Sequence, residues 1–112
     1  MKSEATWMLV KNIEIPTDKI TDFCQRWKIT EFALFGSVLR DDFRSDSDVD
    51  ILVTFDPDAH RTLFDLVDMQ DELEAMFGRK VDLVSRRGIE RSRNYLRRKA
   101  ILNSAQIIYA VS

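Results

Sequence analysis

The sequence predicts a small α/β or α+β domain, in which about four strands form a mixed β-sheet flanked by helices. Short apolar runs of strand length alternate with segments that have the 3.6-residue period of amphipathic helices. The 112 residues are 45% hydrophobic, which suits the core of one domain spanning residues 1–112. Only 3 glycines and 2 prolines occur, without repeats or low-complexity tracts, so an ordered chain is expected.

The overall charge and the cysteine content favour an ordinary cytoplasmic protein. The 17 basic residues nearly balance the 19 acidic ones, so net charge predicts neither a nucleic-acid nor a membrane partner. Cys24 is the only cysteine, which excludes an intramolecular disulfide and fits a reducing compartment. The sequence shows no secretory signal and no apolar run long enough to span a bilayer.

The first elements are read from apolar runs and breakers. Residues 1–15 form an N-terminal arm that is hard to read, and its pattern fits an edge strand, a short helix or a partner-binding segment. After Pro16, Thr17 is predicted to cap a helix that runs to about Lys28. A short buried strand is expected at Glu31–Phe35.

The remaining elements follow from the same patterns. One helical turn is predicted at Ser37–Arg40 and a second strand at Val49–Phe55. A helix at Arg61–Phe77 should stop at Gly78. Three further elements complete the prediction, namely a strand at Lys80–Ser85, a helix at about Ile89–Leu102 and a strand at Gln106–Val111.

Two aspartates at the start of the second strand form the first candidate site. Asp48 and Asp50 lie two residues apart, so on an extended strand they point to one side, roughly 6.5–7 Å apart. Such carboxylates repel each other unless a cation neutralises them. Magnesium suits the position because it accepts one or two carboxylates together with waters and phosphate oxygens. The alternative is a solvated, acidic strand start.

The turn before this strand offers groups that bind phosphate. Gly36 allows a close backbone approach, and Ser37 presents its hydroxyl and N–H groups to an anion. Arg40 lies one helical turn further on and is either a phosphate ligand or a surface arginine. Together with the aspartates, this arrangement indicates a site for a nucleoside triphosphate and magnesium.

Asp82 is the third candidate carboxylate. It lies between two apolar residues of the predicted third strand, where it is either a metal ligand or a solvent-facing residue of an edge strand. If that strand pairs with the second one, Asp82 joins Asp48 and Asp50 around one or two cations. Two-metal sites of this kind position the attacking and leaving oxygens in phosphoryl or nucleotidyl transfer.

A basic stretch, residues 86–99, contains the sharpest charge asymmetry in the chain. It is either a solvated helix face or a surface for an acidic partner. The only aromatic residue within it is Tyr95, so an array for stacking bases is lacking and direct nucleic-acid binding is not expected. The candidate partner-binding residues are Arg91, Arg93, Arg97 and Arg98.

Three blocks give the chain a family resemblance. They are Gly36-Ser37 with Arg40, Ser47-Asp48 with Asp50 and Val53, and Val81-Asp82-Leu83-Val84. In this order they resemble the minimal nucleotidyltransferases (MNT) of the DNA polymerase β-like superfamily. The resemblance implies the nucleotidyltransferase fold, ATP as substrate, and Mg²⁺ on the three aspartates. It also implies ATP contacts at the Gly-Ser turn and, through the second block, at Ser47. The family usually has glycine where Asp41 stands.

Members of this size resemble the MntA-type antitoxins of HEPN/MNT toxin–antitoxin pairs. That likeness implies transfer of AMP from ATP to a tyrosine hydroxyl of a HEPN-type ribonuclease toxin, which silences it. Two alternatives stay open. The chain neutralises its toxin by steric binding without catalysis, or it transfers nucleotides to a small molecule or RNA.

Overall fold

The computed structural model describes residues 7–44 and 46–111. Part of the predicted N-terminal arm, residues 1–6, lies outside the described residues. The rest of the arm forms a β-hairpin of β1 (Trp7–Val10) and β2 (Ile13–Pro16), which pair antiparallel. The turn between them places Lys11 at a positive φ of 52°. Of the readings that the sequence left open, a strand is therefore correct for the described part of the arm.

The main sheet has four strands in the order β5-β4-β3-β6. The central strand β3 pairs antiparallel with β4 and β6, whereas β4 and β5 run parallel. The predicted mixed sheet is therefore confirmed. Its strands are β3 (Ile29–Phe35), β4 (Val49–Phe55), β5 (Val81–Ser85) and β6 (Gln106–Ala110).

Among the residues that the structure describes, four helices and one 3₁₀ turn accompany the strands. The 3₁₀ turn, Gly36–Leu39, directly follows β3 and corresponds to the helical turn predicted there. The helix that precedes β5 ends at Gly78, which adopts the left-handed conformation (φ 70°) that glycine tolerates best. The helices are α1 (Thr17–Trp27), α2 (Leu63–Phe77), α3 (Arg86–Glu90) and α4 (Tyr95–Ser104).

Apolar clusters lie on both faces of the sheet, and together they bury both sides of β4. Ile51 and Val53 belong to the larger cluster, which includes residues of α1 and α2. Leu52, between them in sequence, belongs to a second cluster that contains Ile89 of α3 and Ile101 of α4. Since alternate residues of a strand share a face, Asp50 lies on the same side as Leu52. The Asp50 carboxylate therefore points to the side of the sheet that α4 covers.

Two local predictions are wrong. Thr17 does not cap α1, because the helix begins at Thr17 and Pro16 occupies the cap position. The basic stretch does not form one helix, because the chain leaves helical geometry between α3 and α4. Side chains there replace helical hydrogen bonds: Ser92 Oγ accepts from the Asn94 N–H, and Asn94 Oδ1 accepts from the Arg97 N–H.

Candidate active site

Strand pairing brings two of the predicted carboxylates together. In the parallel pair β4–β5, Asp50 and Asp82 occupy directly opposed positions, on strands that are typically about 4.8 Å apart. Both line a cavity of about 280 Å³ between the sheet edge and α4, which we call the carboxylate cavity. The full lining comprises Phe35, Gly36, Arg40, Asp50, Asp82, Arg97, Ala100, Ile101 and Ser104.

The Asp50 carboxylate is electrostatically strained in this position. Burial raises its pKa above the ordinary value of 3.8, and the negative charge of Asp82 raises it further. The Ser37 backbone N–H donates to the carboxylate and opposes this shift, as does the charge of Arg40, whereas the charge of Asp48 adds to it. A cation between Asp50 and Asp82 would relieve both the repulsion and part of the desolvation.

The close approach of Asp50 requires a glycine at position 36. It has a positive φ of 74°, and a Cβ atom at this position would lie 2.2 Å from Asp50 Oδ2. A residue with a side chain would therefore push the carboxylate away or distort the turn. The Gly-Ser pair thus performs two tasks in this fold, because glycine admits the carboxylate and Ser37 donates an N–H to it.

Asp48 lies at the edge of the site. It is exposed, and its backbone carbonyl accepts a hydrogen bond from Ser37 Oγ at 3.3 Å. Within residues 7–44 and 46–111, no three His, Cys, Asp or Glu side chains are grouped so that they could hold a metal ion. The carboxylates of Asp50 and Asp82 nevertheless fit magnesium, which commonly takes one or two protein carboxylates and completes its shell with waters and phosphate oxygens. The metal-binding roles of all three aspartates stay predictions.

The predicted phosphate ligands lie in different settings. Arg40 lines the cavity, and its Nε donates to Asp42 at 3.3 Å. Ser47 is outside the cavity lining, and its hydroxyl oxygen accepts from the Arg44 N–H at 3.0 Å. Ser47 therefore stabilises the loop that leads into β4, and its contact with ATP stays a prediction.

Two residues that hold the site in place were missed by sequence reasoning. The Asn12 side-chain amide donates to the carbonyls of Val38 and Arg40, at 2.8 and 2.7 Å, and so ties the hairpin to the 3₁₀ turn. Arg79 donates to the carbonyls of Arg44 and Ser47, each at 3.2 Å, and stacks over the ring of Phe43. No local signal could have revealed these hydrogen bonds, because they join residues 26 to 35 positions apart.

The four predicted partner-binding arginines differ in their contacts, and their role in partner binding stays a prediction. Arg91 and Arg93 lie between the two helices. Arg98 packs over the Tyr95 ring and donates to the carbonyls of Glu90 and Ser92, so it holds this segment together. Arg97 alone of the four lines the carboxylate cavity.

A larger cavity, of about 400 Å³, lies at the opposite end of β4 and β5. Arg61, Arg86 and Phe55 are among its lining residues, and none of the predicted catalytic or ATP-binding residues line it. The guanidinium of Arg61 is already bound to the Trp27 carbonyl, and that of Arg86 to Thr54 and Glu31. The acidic site therefore belongs to the smaller cavity.

Comparison with known proteins agrees with this geometry. The family model of the nucleotidyltransferase domain matches residues 18–108. This chain belongs to that nucleotidyltransferase family. The matched region contains every residue of the carboxylate cavity and excludes the hairpin that braces it.

Relatives of this chain are named as protein adenylyltransferases, and two of them are compared with it. The nucleotidyltransferase described here is 33% identical over 87 residues to one from Methanocaldococcus jannaschii, an alignment that covers 78% of this chain and 80% of the relative. It is 36% identical over 66 residues to the protein adenylyltransferase MntA of Thermococcus cleftensis, covering 59% of this chain and 65% of that protein.

Solved structures share the fold. One contains a tri-AMPylated HEPN toxin of Shewanella oneidensis in complex with its MNT antitoxin. The match has a TM-score of 0.57 at 18% identity and covers 85% of this chain and 70% of that one. The predicted nucleotidyltransferase fold is therefore confirmed. Among the described residues, no helix is both long enough and apolar enough to cross a membrane.

Proposed function

We propose that this nucleotidyltransferase is an antitoxin that transfers AMP from ATP to a tyrosine hydroxyl of a cognate HEPN-type toxin in the cytoplasm. The observation that carries the proposal is the juxtaposition of Asp50 and Asp82 above Gly36 in a chain of this family. Related proteins named protein adenylyltransferase, and an AMPylated HEPN toxin bound to an MNT antitoxin, support the choice of reaction and partner.

The chemistry is a displacement at the α-phosphorus of ATP. The tyrosyl oxygen forms a new bond to this phosphorus, the bond to the bridging oxygen of the β-phosphate breaks, and pyrophosphate leaves. Asp82 is suited to accept the proton of the attacking hydroxyl. Gly36 and Ser37 bind the β- and γ-phosphates, and Arg40 offsets their charge. Magnesium, held by Asp50, Asp82 and Asp48, would neutralise the charge that develops on the triphosphate.

Catalysis and steric neutralisation differ in whether the toxin stays inactive after its complex with the antitoxin is taken apart. A candidate HEPN-type toxin is incubated with ATP, Mg²⁺ and the antitoxin, and is then separated from it under denaturing conditions and refolded. We expect its ribonuclease activity to stay low, because an ester of AMP survives the separation. Untreated toxin carried through the same steps is the control. Full recovery of activity after separation would contradict the proposal and favour steric binding.

A further inference from the structure

One wall of the carboxylate cavity is formed by a single stripe of α4. Arg97, Ala100, Ile101 and Ser104 all line the cavity, and their spacing of three, four and seven residues places them on one helix face. Ile101 is 5% exposed and packs in the cluster that contains Leu52, so it fixes this face against the sheet. The position of Arg97 at the cavity therefore depends on a helix that is anchored to the sheet through its one buried residue, Ile101.

The guanidinium of Arg97 is available to a ligand. Arg97 is exposed, and among the described residues no Asp or Glu lies within 4.0 Å of its side-chain nitrogens. Its own backbone N–H serves to cap the helix through Asn94. Arg40, the other arginine at this cavity, is by contrast paired with Asp42. Arg97 thus presents an uncompensated positive charge beside two carboxylates without forming an ion pair with either.

We propose that Arg97 binds the triphosphate of ATP from the α4 wall of the carboxylate cavity. This inference rests on the proposed function. A magnesium ion neutralises only part of the combined charge of a triphosphate and two carboxylates, so a further cation favours binding. A planar guanidinium with several N–H donors suits bidentate contact with phosphate oxygens. Within the basic stretch, Arg97 then binds the nucleotide, whereas the neighbouring arginines make other contacts.

The test is the affinity for ATP in the presence of Mg²⁺ and without toxin, measured by isothermal titration calorimetry. Arg97→Gln should raise the Kd for ATP about tenfold or more, the usual effect of losing a hydrogen bond to a charged group. Arg97→Lys should recover part of this loss, because it restores the charge without the bidentate fork. Two control variants, Lys99→Gln on the same helix and Arg93→Gln just before it, remove one charge each outside the cavity and should change the Kd less than about twofold.

Toxin binding by the same variants separates the possible failures. We expect Arg97→Gln to bind the HEPN-type toxin with the affinity of the unmodified protein. If the variant binds ATP normally but binds toxin weakly, Arg97 belongs to the partner surface, and this inference is wrong while the proposed function stands. If the unmodified protein binds no ATP at all, both the inference and the proposed function are wrong.

Discussion

The carboxylate of Asp50 lies against the backbone of Gly36, so closely that a Cβ atom at position 36 would be 2.2 Å from Oδ2. This contact joins the end of β3 to the start of β4, which are paired through Phe35 and Asp50. It also explains why the turn before β4 contains glycine, because this residue must combine a positive φ with enough space for the Asp50 carboxylate beside its Cα.

Gly36→Ala should therefore impair both the site and the fold. A left-handed conformation costs a residue other than glycine roughly 1–2 kcal/mol, and the collision with Asp50 adds to this. Displacement of the carboxylate by about 1 Å is expected to reduce AMP transfer roughly 100-fold. Chemical denaturation and a transfer assay measure the two effects.

Gly78→Ala provides a matched control. Gly78 has a similar φ of 70°, but nothing lies within 4 Å of a Cβ atom built there. This variant should show only the conformational cost in stability and retain normal transfer activity. Equal activity losses in both variants would contradict the role assigned to the Gly36–Asp50 contact.

The raised pKa of Asp50 predicts that the ligand-free protein is stabilised by removing this charge. The folded state holds the Asp50 proton to a higher pH than the unfolded chain, whose pKa is near 3.8. Stability is therefore lost as pH rises from this value through the raised pKa. In a chelating buffer at neutral pH, Asp50→Asn should increase the free energy of unfolding by less than about 1 kcal/mol, since water screens the partly exposed carboxylate.

The gain should disappear well below pH 3.8, the pKa of the unfolded chain, where Asp50 is protonated in both states. Asp46→Asn removes an exposed carboxylate from the loop before β4 and should change stability little at either pH. Thermal unfolding at several pH values measures the effect. A loss of stability in Asp50→Asn at neutral pH would show that its charge is already compensated within the fold.

Arg79 is predicted to support activity from outside the cavity. Its two hydrogen bonds to carbonyls fix the loop that leads to Asp48. Arg79→Met retains the apolar stem over Phe43 but removes both bonds, which should cost about 1–3 kcal/mol in stability. The looser loop is expected to reduce transfer about tenfold, and Arg93→Met is the control. Full activity in a folded Arg79→Met protein would refute this role.

Cys24 should report on unfolding. Its side chain is fully buried, and burial raises the pKa of the thiol to about 12. Because the thiolate is the reactive form, a thiol reagent at pH 8 should label the native protein very slowly. The labelling rate should rise steeply as denaturant unfolds the chain. Rapid labelling without denaturant would mean that this part of the core opens readily.

The sequence was most informative where the hydrophobic pattern and a strand-breaking residue indicate the same boundary. The bounds predicted for the strand Val49–Phe55 match the structure, because a continuous apolar run ends near Pro57. The approach of Asp82 to Asp50 was conditional on strand pairing, which one sequence cannot establish. The break before α4 was missed because Ser92 and Asn94 compete locally with the helix. The placement of Arg97 was missed because a charge run gives no indication of which residue faces a cavity.

The most direct test of the central claim is the intact mass of the HEPN-type toxin after incubation with ATP, Mg²⁺ and this protein. The mass should increase in whole units of AMP with the unmodified antitoxin and with Asp46→Asn. It should stay unchanged with Asp48→Asn and with Asp50→Asn, although both variants still fold and bind the toxin. No increase with the unmodified protein, or an undiminished increase with Asp50→Asn, would contradict the assignment of the carboxylate site as the centre of AMP transfer.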